Sequence, residues 1–89
     1  MKITLKSYED LGPLVRATRK SQGMRQDDTA EVIGVSENFL AKVERGGGTV
    51  QWQKLFQVLT ELGIRVEIDV PDTAMAMLQK QMKKRGAAR

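Results

Sequence analysis

The chain has 89 residues, a net charge of +4, and neither cysteine nor histidine. This excludes disulfides and thiolate metal sites, and removes the commonest general base and zinc ligand. No apolar run approaches the roughly 18 residues that a bilayer span needs, and residues 1–10 lack a signal peptide's apolar core, which predicts one small cytoplasmic domain.

Ile3 and Leu5 alternate with Lys2, Thr4 and Lys6, so residues 1–7 read as an arm or short strand. Ser7 and Asp10 have capping-box spacing for a first helix. Pro13 costs about 3 kcal/mol in a helix interior and is tolerated only in the first turn. Either Asp10 is therefore the N-cap or the helix is kinked. Leu11, Leu14, Val15 and Thr18 form its inward stripe, Arg16, Arg19 and Lys20 lie alongside, and Gly23 ends it.

A second helix is expected over 26–33, with Ala30 and Ile33 inward and Gly34 permitting a left-handed turn. Ser36 is a strong N-cap for a third helix over 37–45, with Leu40 and Val43 on its buried face. Glu37, Asn38, Ala41 and Lys42 are left facing outward. Two short helices joined by a tight turn, the second with an exposed polar start, have the layout of a helix-turn-helix. Glycines 46–48 break the chain. Thr49 is then expected to cap a fourth helix over 50–62. Its core stripe is Trp52, Leu55, Phe56, Leu59 and Leu62, with Trp52 read as core and not as a partner anchor.

After Gly63 the apolar period falls to two. Ile64, Val66, Ile68 and Val70 alternate with Arg65, Glu67 and Asp69, which predicts a strand over 64–70 ended by Pro71. A lone strand leaves its backbone groups unpaired, so it must join residues 2–6, a second copy of itself, or both. Pairing with a second copy makes a dimer. Residues 71–89 have Met75, Leu78 and Met82 at helical spacing and a basic end, and read as a marginal helix or a flexible tail.

Residues 25–46 hold three basic and five acidic side chains. A DNA-reading role for this unit cannot rest on bulk charge, only on individually placed basic groups, the first helix and the tail. There is no phosphate loop and no nucleophile–base arrangement, so no enzyme activity, cofactor or small-molecule substrate is expected.

Residues 11–64 resemble the Xre/Cro-type helix-turn-helix family. The marks are Arg16 and Arg19, Gln26, Ala30, Gly34-Val35-Ser36, Val43-Glu44-Arg45-Gly46 and Leu62-Gly63, in that order. Arg25 departs from the usual hydroxyl cap of the second helix, and Thr29 from the usual core leucine. A domain over 8–63 followed at once by one strand is similar to the HipB-like antitoxins. That resemblance implies a mainly α fold: a small bundle of four to five helices whose strand 64–70 forms an inter-subunit β-lid.

The same resemblance implies the roles of individual residues. Glu37, Asn38, Phe39, Ala41 and Lys42 would read bases, with Asn38 suited to an adenine edge and Lys42 to a guanine edge. Gln26 would clamp a phosphate beside free backbone N–H groups, joined by Arg25, Ser36 and Arg45. Arg19 and Glu44 would form a buried structural ion pair, and Ile64, Val66, Ile68 and Val70 the dimer interface. The implied partners are double-stranded operator DNA, a second copy of the chain and a HipA-type kinase toxin. The alternatives are a solitary regulator or phage-type repressor, and a protein-interaction module that does not read DNA.

Overall fold

A computed structural model describes residues 1–87, with side chains described through Lys83. A 3-10 turn, Tyr8–Asp10, leads into five helices: α1 (Leu11–Ser21), α2 (Gln26–Ile33), α3 (Glu37–Glu44), α4 (Trp52–Glu61) and α5 (Asp72–Ala87). The first four enclose one core of Val15, Ala30, Ile33, Leu40, Val43, Leu55, Val58, Leu59 and Leu62. Each fully buried Val or Leu there contributes about 1.5–3 kcal/mol.

The start of α1 reconciles both sequence readings. Ser7 and Asp10 form a capping box around the 3-10 turn, and the Asp10 carboxylate also accepts the Lys6 N–H at 2.9 Å. Asp10 is then the residue before α1, so Pro13 falls in the first turn and removes no helical bond. Gly12, which carried no sequence signal, is buried where α1 crosses the end of α3. A Cβ there would lie 2.6 Å from the Glu44 carbonyl oxygen and 2.8 Å from the Gly46 nitrogen.

The turn between α2 and α3 is set locally. Gly34 has φ 89°, a conformation that a Cβ disfavours, and the Val35 N–H returns to the Ala30 carbonyl at 3.0 Å. Ser36 Oγ then accepts the Phe39 N–H at 3.0 Å and starts α3. Thr29 costs less than its sequence position suggests. It is buried, and its hydroxyl donates to the Arg25 carbonyl at 2.7 Å.

The fourth helix differs from expectation in two ways. It begins at Trp52 with Gln51 at the N-cap position and no side-chain cap, so Thr49 does not cap it. Its buried face is Leu55, Val58, Leu59 and Leu62, a set that includes the missed Val58. Trp52 and Phe56 lie at the stripe's edge, 73% and 43% exposed, with ring centroids 5.9 Å apart. Trp52 is therefore not a core residue. Trp52→Ala should change thermal stability by less than about 1 kcal/mol, where truncating an enclosed tryptophan costs about 3–5. A loss in the upper range on calorimetry would contradict the exposed placement.

No β-strand is found among the described residues, neither at 2–6 nor at 64–70. Lys2 Nζ lies 2.7 Å from Glu67 Oε2, yet no backbone hydrogen bond joins the two segments. The alternating pattern is present, but a ladder needs a partner edge, and among the described residues none pairs with it. Ile64 is also diverted. Its N–H bonds the Leu59 carbonyl at 2.8 Å, so it closes α4 and packs partly buried on the core. The segment 71–89 is helical through Ala87, with residues 88–89 outside the described part. Met77 and Met82 of α5 are exposed.

Candidate nucleic-acid interface

The residues named for DNA contact gather at the α2–α3 end of the bundle, and α3 presents its first turn outward. Leu40 and Val43 are buried and hold one face of α3 to the core, which leaves Glu37, Asn38 and Lys42 exposed on the other. Glu37 sits where the helix dipole favours an acid. Ala41 is half-buried between the two faces. The Lys42 stem leans over the following loop. A Cβ on Gly47 would fall 2.5 Å from Lys42 Cγ, so a glycine there leaves room for the stem.

Phe39 stands apart from the exposed set. It is half-buried against the core, and Lys54 Nζ of α4 lies 5.8 Å from its ring centroid. Part of the ring is thus occupied within the chain. Lys54 is a cation beside α3 that sequence reasoning missed. Its proximity arises from the packing of α4 against this end of the bundle, and no local pattern encodes it.

The start of α2 is less open than a bare helix N-terminus. Asp27 Oδ1 accepts the Asp28 N–H at 2.9 Å, and Asp27 Oδ2 pairs with Arg25 Nη2 at 3.0 Å. One of the backbone donors expected to meet an anion is thus already engaged, and the charge of Arg25 is partly matched. Gln26 is half-buried, and its Nε2 donates to Glu44 Oε1 at 3.3 Å. Ser36 spends its hydroxyl oxygen on the cap of α3, and Arg45 is exposed at the end of that helix.

Behind this surface Arg19 and Glu44 form a buried fork. Arg19 Nε and Nη2 donate to the two Glu44 carboxylate oxygens at 2.7 and 2.9 Å, and Nη1 donates to the Met24 carbonyl at 2.7 Å. The Glu44 hydrogen bond raises the Arg19 pKa above its ordinary value, against the opposing effect of burial. No buried side-chain polar atom among the described residues lacks a partner. Among those residues no acidic, Cys or His cluster suits a metal ion, and no helix is long and apolar enough to cross a membrane.

The helix-turn-helix family model HTH_3 matches residues 15–68. The HTH-type transcriptional regulator y4mF of Sinorhizobium fredii is 43% identical over 67 residues, covering 75% of this chain and 88% of that protein. HipB in the HipA-HipB-O2-O3 complex superposes with TM-score 0.71 at 17% identity, over 80% of this chain and all of that one. The clp gene regulator ClgR from C. glutamicum superposes with TM-score 0.59 at 34% identity, over 66% of this chain and 76% of that one. The bundle, the exposed polar face of α3 and these similarities agree: the chain belongs to the HTH_3, or Xre-type, helix-turn-helix family of DNA-binding transcriptional regulators.

Proposed function

We propose that this regulator is a homodimeric, operator-binding repressor that serves as a HipB-like antitoxin in the cytoplasm, binding a HipA-type kinase toxin and repressing its own operon. The observation that carries DNA reading is the exposed polar face of α3, fixed by buried Leu40 and Val43 and capped by Ser36. Phosphate contacts from Gln26, Arg25, Ser36 and Arg45 set the docking. Asn38 and Lys42 read base edges, with Glu37, Ala41 and Phe39 around them. Lys42→Ala should relax base preference at one position per half-site. A selection from random duplexes that returns an unchanged motif would remove Lys42 from the reading set.

Dimerisation is supported by the exposed Val66 and Ile68, 48% and 78% accessible, in a stretch, 65–70, whose backbone groups have no backbone partner among the described residues. Ile64 and Val70 are half-buried and would flank them. Pairing with a twofold mate satisfies the backbone and places two reading helices near one DNA turn apart, about 34 Å. Val66→Asp should convert the protein to monomers by light scattering; a persistent dimer would put the interface elsewhere.

The antitoxin role is supported by likeness of fold to HipB along the whole of its chain in that complex. A second reading, a solitary regulator, is favoured by y4mF, whose name carries only transcriptional regulation. Affinity purification from the native host distinguishes them. Co-purification of a kinase supports the antitoxin, and its absence alongside retained operator binding supports the solitary regulator.

A further inference from the structure

Gln26 opens α2 and Glu44 closes α3, and one hydrogen bond of 3.3 Å joins their side chains. Glu44 has little freedom. Its side chain is 3% exposed and both its oxygens are held by Arg19, which is itself anchored to the Met24 carbonyl. A primary amide is ambivalent, because its oxygen only accepts and its nitrogen donates twice. A carboxylate accepts only. If the Gln26 oxygen faced Glu44, two acceptors would meet in a half-buried place, where unpaired polar groups are expensive. With the nitrogen facing Glu44, one N–H is bonded and the second is left over.

We propose that Glu44 is a positioning residue for DNA docking: it fixes which way round the Gln26 amide stands, so that the remaining N–H, and not the carbonyl oxygen, meets the DNA backbone. The inference rests on Gln26 being a phosphate contact. A phosphate accepts hydrogen bonds and repels a carbonyl oxygen, so an amide free to flip would present the wrong end part of the time. The bond to a carboxylate also polarises the amide and improves its second N–H as a donor. Because Glu44 is the last residue of α3, one carboxylate ties the phosphate contact on α2 to the helix that reads the bases. The Arg19–Glu44 pair then serves docking as well as stability.

The first test uses the unmodified protein labelled with nitrogen-15. The Gln26 side-chain resonances are the pair that disappears in Gln26→Ala. One proton should be shifted and slow to exchange in the free protein, and the other should move when duplex DNA is added. Two protons that behave like those of exposed glutamines would overturn the proposal, and this arm does not depend on any variant at Glu44 folding.

The second test is a cycle of Gln26→Ala, Glu44→Gln and both, each checked for folding. Binding is measured to a duplex that the unmodified protein selects from a random pool. Gln26→Ala should weaken binding roughly tenfold and lower the salt slope by about one. Glu44→Gln should weaken it several-fold alone and not at all in the Gln26→Ala background. Losses that multiply would overturn the positioning role and leave the phosphate contact standing. Unchanged binding by Gln26→Ala would overturn both.

Discussion

Gly12→Ala should be the most damaging single-methyl change in this chain. The added Cβ would lie 2.6 Å from the Glu44 carbonyl oxygen, 2.7 Å from that of Val43 and 2.8 Å from the Gly46 nitrogen. All three are backbone atoms, so no side chain can swing aside. α1 must move off the end of α3, and that shift also strains the Arg19–Glu44 fork bridging the same two helices. Overpacking of this kind costs about 2–3 kcal/mol, or roughly 10–20 °C of melting temperature in a domain this small. Gly63→Ala is the control, because nothing lies within 4 Å of its Cβ and only its positive φ of 79° resists. That strain costs about 1–2 kcal/mol. Equal melting temperatures for Gly12→Ala and the unmodified protein would refute the close crossing.

Glu44→Ala should destabilise by about 3–5 kcal/mol, because it strands the guanidinium of Arg19, a residue only 7% exposed, without its carboxylate. This approaches the whole stability of a marginal domain, about 5–15 kcal/mol. Arg19→Met should cost a similar amount by leaving Glu44 buried and unpaired. The combined change to Arg19→Met and Glu44→Ala should cost less than the two losses added together, since it leaves neither charge stranded. Single losses that add to within about 0.5 kcal/mol in denaturant titrations would mean the pair is not coupled.

The helix-turn-helix itself was legible because its signals are local. The left-handed glycine at 34 and the serine cap at 36 sit within a few residues of what they control. Leu40 and Val43 announce the buried face of α3 by spacing alone, and most of the family marks lie in the same stretch. The start of α1 was half legible. Ser7, Asp10 and Pro13 framed two alternatives, and the 3-10 turn satisfies the capping box and the proline together.

Trp52 was misjudged because a large ring at helical spacing resembles a core residue, whereas its burial depends on which neighbours close over it. In α4 the four positions from Leu55 to Leu62 already fill the facing surface, and the ring rests on Phe56 instead. Gly12 gave no warning, because its constraint comes from backbone more than thirty residues along the chain. The carboxylate of Asp27 at the start of α2 was likewise visible only as charge. Its bond to the Asp28 N–H is a matter of rotamer, and it narrows the space for an anion there.

By itself the sequence determined the helix-turn-helix, the cap of α3, its buried and exposed faces, and the family. Those properties follow from backbone preference and helical periodicity within short windows. Tertiary structure alone decided that α1 can lie against α3 only through a glycine, that Lys54 reaches Phe39, and that Glu44, beyond its pairing with Arg19, also takes the Gln26 amide. Each of these joins groups distant in sequence, and such contacts depend on how helices pack, which no local window encodes. The segment 64–70 belongs to neither class. Its alternation is in the sequence, but a strand is a property of two paired edges, and no second edge pairs with it among the described residues.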